Sequence, residues 1–224
     1  MRVFIGFDPR ESVSYHVASH SILRRSSIPV EITALALANL GGDYRRERHP
    51  LQSTDFSFTR FLVPYLCGYG GWGLYLDSDV LVREDVAEIE AKCVLENAYK
   101  AVYVVKHEYE PKDEDAKFLG ERQTRYAKKN WSSVMLFNAM RCRRLTPEYV
   151  DTASGLDLHQ FKWTTEDQVG ELHKDWNHLV GEGGENPQAK IVHFTRGGPW
   201  FTQYRHSEFA KEWLDEFQNM SRPM

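Results

Sequence analysis

Short apolar runs separated by polar, turn-forming segments set the plan of the chain. Arg2-Val3-Phe4-Ile5-Gly6-Phe7 is such a run, read as a buried first strand that Asp8-Pro9-Arg10-Glu11 ends. Over residues 11–25, Val13, Val17, His20 or Ser21, and Leu23 fall near one face of a helix. Pro29 stops that helix, and residues 30–35 give a second strand. This β-α-β order predicts an α/β protein with a doubly wound, mostly parallel sheet flanked by helices.

The later pattern continues the alternation. Residues 41–56 are polar and basic, with Arg45, Arg46, Arg48 and His49, and predict a loop over the sheet edge. Residues 57–66 predict a helix with Ser57 as N-cap, kinked or shortened by Pro64. A short helix is expected over 83–90 and a strand over 101–105. The charged stretch 106–129 has no clear core face and reads as a surface segment. Strands follow at 134–137 and 190–195. Thr146-Pro147-Glu148 has the cap-then-proline signature of a helix start. Thr164 or Thr165 before Glu166-Asp167-Gln168 predicts another helix, 181–187 a turn, and 207–220 a closing amphipathic helix. No internal repeat occurs, so residues 1–224 are read as one domain.

One stretch stands apart: Gly73-Leu74-Tyr75-Leu76-Asp77-Ser78-Asp79-Val80-Leu81-Val82. In extended chain, side chains i and i+2 share a face, so Asp77 and Asp79 point one way and Ser78 the other. Their Cα atoms are then about 6–7 Å apart. Two carboxylates so close repel each other and lose hydration. A hard divalent cation relieves both penalties and can hold a diphosphate. A strand-end turn rich in Asp and Ser explains the same residues equally well.

Composition narrows the choice. Of the 224 residues 42% are hydrophobic and 27% charged, as in ordinary globular proteins, and the net charge of −4 argues against a nucleic-acid track. No run of 18 apolar residues exists, and the N-terminus has no signal-peptide core. Cys67, Cys93 and Cys142 are too scattered for a disulfide framework or a zinc site, which points to a reducing, cytoplasmic setting. Gly68-Tyr69-Gly70-Gly71-Trp72-Gly73 matches G-x-G-x-x-G, but a helix precedes it and a strand follows, the reverse of a dinucleotide site. Lys112-Asp113-Glu114-Asp115 repeats the Asp-x-Asp pattern in a wet segment. His107-Glu108 has Pro111 where a zinc-protease helix needs its second histidine.

Three further positions carry possible chemistry. His193 sits late in the strand Ile191-Val192-His193-Phe194. With two carboxylates it makes a ligand set suited to Mn²⁺, although a half-buried strand-end histidine is the commoner case. Asp167-Gln168 fits a helix start by capping alone. Arg60 could steady a diphosphate or pair with a carboxylate.

Taken together, the residues resemble retaining glycosyltransferases of family 8, the glycogenin and lipopolysaccharide-galactosyltransferase type. The resemblance rests on Leu74 through Val82 with its Asp-x-Asp, on Ser57-Phe58-Thr59-Arg60-Phe61 upstream, and on Ser132-Ser133-Val134-Met135-Leu136-Phe137-Asn138. Glu166-Asp167-Gln168, Val192-His193-Phe194 and Pro199-Trp200 complete it, all in the family's order. It implies a GT-A fold, a single Rossmann-like domain over 1–224, that moves a hexose from a nucleotide-sugar, a UDP-sugar, to a glycan, lipid-glycan or protein acceptor with retention. By the same resemblance Asp77, Asp79 and His193 would hold Mn²⁺ or Mg²⁺. Asp8 would contact the uracil, and Ser78 and Arg196 would belong to the donor site. Arg60 would stabilise the diphosphate or sugar side, and Asp167 and Gln168 would flank the reacting sugar. Segments 41–56 and 106–129 would form the acceptor half.

The sequence departs from the family in three places. Trp131-Ser132-Ser133 replaces the usual Asn-Ala/Ser-Gly, Gly198 stands where a lysine precedes Pro-Trp, and Asp8-Pro9-Arg10-Glu11 differs from the usual residues after strand one. Two other readings share these residues: a non-catalytic sugar-nucleotide or carbohydrate binder, and a nucleotidyltransferase. The second lacks its glycine-rich loop after strand one.

Overall fold

The computed structural model describes residues 1–48, 52–97, 99–108, 128–182 and 184–221. Its centre is a six-stranded sheet of β1 (Arg2–Gly6), β2 (Glu31–Leu35), β3 (Trp72–Leu76), β5 (Val102–Val104), β6 (Val134–Asn138) and β7 (Val169–Glu171). The strand order is β2-β1-β3-β6-β5-β7. The pairs β1–β2, β1–β3 and β5–β7 are parallel, whereas β6 runs antiparallel to both β3 and β5. The mostly parallel α/β sheet expected from the sequence is therefore present, with β6 alone reversed.

Alternating residues feed two cores. Phe4, Tyr75, Met135 and Phe137 pack on one face with Phe61, Leu62, Leu158 and Trp163. Val3, Ile5, Leu74, Leu76 and Leu136 pack on the other with Ala18 and Ile22 of α1 (Ser12–Arg25), and with Ile89 and Cys93 of α4 (Ala87–Asn97). This is the period-two pattern of a sheet buried on both sides.

A small sheet, β4 (Val80–Val82), β9 (Ile191–His193) and β8 (His178–Leu179), sits beyond the end of β3. The stretch read as one strand over 73–82 is thus two strands in two sheets. The main-sheet ladder ends where the Asp77 N–H donates to Ser133 O (2.9 Å), and Asp77-Ser78-Asp79 then bends into β4. Passing from one sheet to another needs a bend, and Asp and Ser tolerate one. A third apolar cluster, with Val17, Leu81, Val192, Phe194 and Trp213, joins the small sheet to α1 and to α7 (Ala210–Ser221).

Other expectations shift. Residues 57–66 form a 3₁₀ turn (Thr59–Leu62) and a single α-turn, α3 (Val63–Leu66), with Pro64 in its first turn. Ser57 does not cap this segment, since its hydroxyl donates to Thr54 O (2.8 Å). Glu166–Gln168 is one 3₁₀ turn that leads into β7 instead of opening a helix. The helix expected over 83–90 begins at Ala87, whose N–H donates to Asp85 Oδ1 (3.0 Å). Thr146 caps α5 (Pro147–Thr152) as its sequence signature predicts, with Tyr149 N–H as donor. The G-x-G-x-x-G segment is the turn between α3 and β3, held by Arg2 on the carbonyls of Cys67 and Gly70. His49, Pro111 and the second Asp-x-Asp over 112–115 lie outside the described residues, as does most of segment 106–129. Among the described residues no helix is long and apolar enough to cross a membrane.

Candidate functional site

The bend after β3 and the end of β9 meet at one point. β4 and β9 pair antiparallel with Val80 opposite His193, and Phe194 N–H donates to Asp79 O (2.9 Å). This pairing brings His193 to the acidic pair. One ligand atom each from Asp77, Asp79 and His193 lies within 4.8 Å of the others. His193 Nε2 is 3.3 Å from Asp79 Oδ1 and 4.0 Å from Asp77 Oδ2. The three side chains converge although Asp77-Ser78-Asp79 is not extended.

The two carboxylates differ. Asp77 is buried and fully served: Arg60 Nη1 lies 2.9 Å from Oδ1, and Tyr75 donates its hydroxyl to the same oxygen at 2.6 Å. Burial pushes the Asp77 pKa up and Arg60 chiefly opposes it, with the Asp79 charge adding to the rise. Asp79 Oδ1 is buried and accepts no hydrogen bond; His193 Nε2 is near enough to attract it but poorly aligned as a donor. A buried carboxylate oxygen without a hydrogen bond is costly unless a cation serves it. Burial disfavours the imidazolium of His193, but Asp79 and Asp77 outweigh it and raise the pKa above 6.5. The three donors, two hard oxygens and an imidazole nitrogen, fit a divalent first-row cation.

Arg60 is 6% exposed and turns inward. Besides Asp77 it donates to Ser132 O (2.9 Å) and Phe56 O (3.3 Å), so its guanidinium neutralises Asp77 from below. Asp8, at the end of β1, is 1% exposed and has both oxygens occupied: Arg10 donates to them through N, Nε and Nη2, and Asp55 N–H donates to Oδ2 (3.1 Å). These bonds with Arg10 and Asp55 hold its pKa low against the opposing effect of burial. Ser78 is fully buried with an unpartnered hydroxyl. Arg196 is exposed in the turn that follows β9.

Asp167 and Gln168 are not brought to this point. Val169 is level with Val102, which pairs with Phe137 opposite Gly73. Gln168 therefore lies at the start of β7, about 16 Å along the strands and about 14 Å across them from Asp77, at 3.3 Å per residue and 4.8 Å per strand. Asp167 is exposed there, and its carbonyl accepts from Lys100 Nζ (2.5 Å). A role for these two residues beside Asp77 is not compatible with the register.

The sequence reading missed several groups. Tyr75 stands two residues before Asp77, and strand alternation alone could have shown that it faces the same way. Glu11, buried after β1, has its pKa pushed up to about 9 by burial and by the Asp79 and Asp8 charges, so it is neutral near pH 7. Asn177 accepts from His193 Nδ1 at 3.2 Å, with no sequence pattern to mark it. Gly198 is in contact with the indole of Trp200, and any Cβ would enter that ring.

No family profile matches the chain. Among solved structures it is similar to the galactosyltransferase LgtC in complex with donor and acceptor sugar analogs (TM-score 0.63, 13% identity, 100% of this chain and 98% of that one). It is similar to the bifunctional glycosyltransferase WbbM (TM-score 0.66, 15% identity), of which it spans 50% with 98% of its own length. GlyE of Streptococcus pneumoniae is a third (TM-score 0.62, 15% identity, 98% of this chain and 61% of that one). These likenesses show the fold of GT-A glycosyltransferases. Protein CDI of Arabidopsis thaliana is 43% identical over 230 residues, spanning 99% of this chain and 87% of that one. At that identity and coverage, the chain belongs to the family of Arabidopsis thaliana Protein CDI.

Proposed function

We propose that the chain is a divalent-metal-dependent glycosyltransferase that moves a hexose from a UDP-sugar to an acceptor hydroxyl with retention of configuration. The observation that carries the proposal is the convergence of Asp77, Asp79 and His193 just past the carboxyl end of β3. Open α/β sheets bind their ligands at the carboxyl ends of the strands. The shared fold with glycosyltransferases supports the reaction class.

Asp77, Asp79 and His193 would hold Mn²⁺ or Mg²⁺, which when bound offsets the charge growing on the leaving diphosphate. Arg60 and Tyr75 fix Asp77 and favour its ionised form against the effect of burial. Asp8, at the end of β1, would contact the uracil, with Arg10 and the backbone at Asp55 holding its carboxylate in place. Arg196, three residues past His193 in the exposed turn, supplies positive charge toward the diphosphate. The sugar becomes oxocarbenium-like as the glycosidic bond breaks, and the acceptor hydroxyl attacks from the face the diphosphate leaves, passing its proton to the departing phosphate oxygen. Asp167 and Gln168 have no part in this proposal. The buried thiols Cys67, Cys93 and Cys142 suit the cytoplasmic setting proposed with it.

Thermal-shift measurements with UDP-hexoses, with and without Mn²⁺, test the reading. A ligand at a hundredfold its Kd stabilises the native state by about 2.7 kcal/mol. A shift that needs both components, followed by release of UDP, is the expected result. Binding without turnover favours the non-catalytic reading, and no shift with any nucleotide-sugar overturns the proposal.

A further inference from the structure

We infer that Asn177, clamped by Ser133, is a positioning residue that holds His193 in the one tautomer able to ligate a cation. The inference rests on the metal site proposed above. An imidazole ligates through a nitrogen with a free lone pair, and the hydrogen bond made by the other nitrogen decides which one that is. His193 Nδ1 faces Asn177 Oδ1 at 3.2 Å, so in the neutral ring Nδ1 carries the proton and Nε2, on the side of Asp77 and Asp79, is the nitrogen left with a lone pair for a cation.

The direction of that bond is fixed further back. Asn177 is fully buried, and its Nδ2 donates to Ser133 Oγ (2.9 Å) and to Asn130 O (3.2 Å). Ser133 Oγ in turn donates to Asn130 O (2.8 Å), so the hydroxyl offers only lone pairs to Asn177. A flipped amide would set Oδ1 against the Asn130 carbonyl oxygen, which can only accept. Only one orientation satisfies the chain of bonds from His193 through Asn177 to Asn130 O. Asn130 has the left-handed backbone (φ 62°, ψ 1°) that few residues other than Gly and Asn adopt, and its carbonyl receives both bonds.

Ser133 stands at the glycine position of the Asn-Ala/Ser-Gly pattern that the family 8 resemblance implies. Its hydroxyl braces the His193 side of the site, and its carbonyl accepts the Asp77 N–H at 2.9 Å on the other. Ser133, within the Trp131-Ser132-Ser133 departure, thus braces the ligand set from both sides.

The test is Mn²⁺ affinity, measured by calorimetry on chelator-stripped protein with no donor present, beside the melting temperature without metal. Outer-sphere partners of metal-bound histidines are commonly worth about 10–100-fold in affinity. Asn177→Ala should lose affinity in that range. Ser133→Ala should lose less, and Asn177→Asp, which keeps an oxygen on Nδ1 and whose second oxygen can accept from the Ser133 hydroxyl once that turns from Asn130 O, should recover most of it. A merely structural Asn177 predicts wild-type affinity in the folded Ala variant, or Asp as weak as Ala, and either result overturns the inference. If Asn177→Ala does not fold, Ser133→Ala and Asn177→Asp still decide. Wild-type protein that takes up no Mn²⁺ overturns the metal site itself, a separate outcome from the one in which wild type binds and the variants bind equally well.

Discussion

Arg60→Met is the substitution that most sharply separates a buried support from a surface donor contact. Methionine keeps the apolar stem and removes the charge and every donor. At 2.9 Å and an effective dielectric of about 20, the gross Arg60–Asp77 attraction is about 6 kcal/mol. Breaking a buried pair by removing one partner usually costs about 3–5 kcal/mol net. The freed carbonyls of Phe56 and Ser132 lie within that range. In a chain of this size the loss corresponds to about 6–20 °C in Tm. It should also depend on pH. The Asp77 pKa is raised by burial, and Arg60 is the main group opposing the rise. A raised carboxyl binds its proton more tightly in the native state, so stability falls as pH rises from the ordinary value of 3.8 through the folded one. Removing Arg60 extends that fall to higher pH, and the deficit should shrink as pH is lowered. Melts of metal-free wild type, Arg60→Met and Arg60→Lys at two pH values measure this, with Lys keeping most of the pH-dependent part. A deficit of about 1 kcal/mol or less, or one equal at both pH values, would refute the assignment.

Three other substitutions or conditions probe separate parts of the structure. Asp79 and Asp77 hold the His193 pKa above 6.5 despite burial, so its charge stabilises the metal-free protein below that pH and the contribution is lost as pH rises through the folded value. A cation must displace that proton, so Mn²⁺ affinity should keep rising with pH above 6.5; a plateau there contradicts it. Glu216, buried between α1 and α7, is held below 4.5 by Arg25, His20 and Arg24 against the opposing effect of burial. It contributes stability above pH 4.5 that is lost as pH falls through the depressed value, so Glu216→Gln should cost about 1–3 kcal/mol at pH 7 by urea titration and leave Mn²⁺ affinity unchanged. Gly198→Ala drives a methyl into Trp200, which packs on Phe194 and Trp213, and should lower stability by about 1–3 kcal/mol; an unchanged Tm would show that the indole moves freely.

The sheet was legible because alternation is a local property. Val3-Phe4-Ile5 and Leu74-Tyr75-Leu76 send neighbouring side chains to opposite cores, as period two requires. The meeting of Asp77, Asp79 and His193 was legible from their order along the chain, but the geometry that joins them was not. It depends on β4 leaving one sheet for another and pairing with β9, a contact between residues more than a hundred positions apart. Asp167-Gln168 misled for the opposite reason: the letters fit a site, while the neighbour that fixes their level, Ala101 N–H on Gln168 O, places them at the far end of the sheet. Arg60, read from the sequence as steadying a diphosphate or pairing with a carboxylate, faces inward onto Asp77, because the apolar segment around it buries the guanidinium beside Tyr75 and Phe56. Asn177 and Glu11 carry no pattern, and only tertiary packing reveals them.

The measurement closest to the central claim is UDP release from a UDP-hexose by purified protein, with and without Mn²⁺, compared with Asp79→Asn. Asp79 Oδ1 accepts no hydrogen bond in the fold, so an amide there should leave secondary structure intact and abolish the Mn²⁺-dependent rate. A folded Asp79→Asn variant that releases UDP as fast as wild type, or a wild-type rate indifferent to Mn²⁺, would contradict the account.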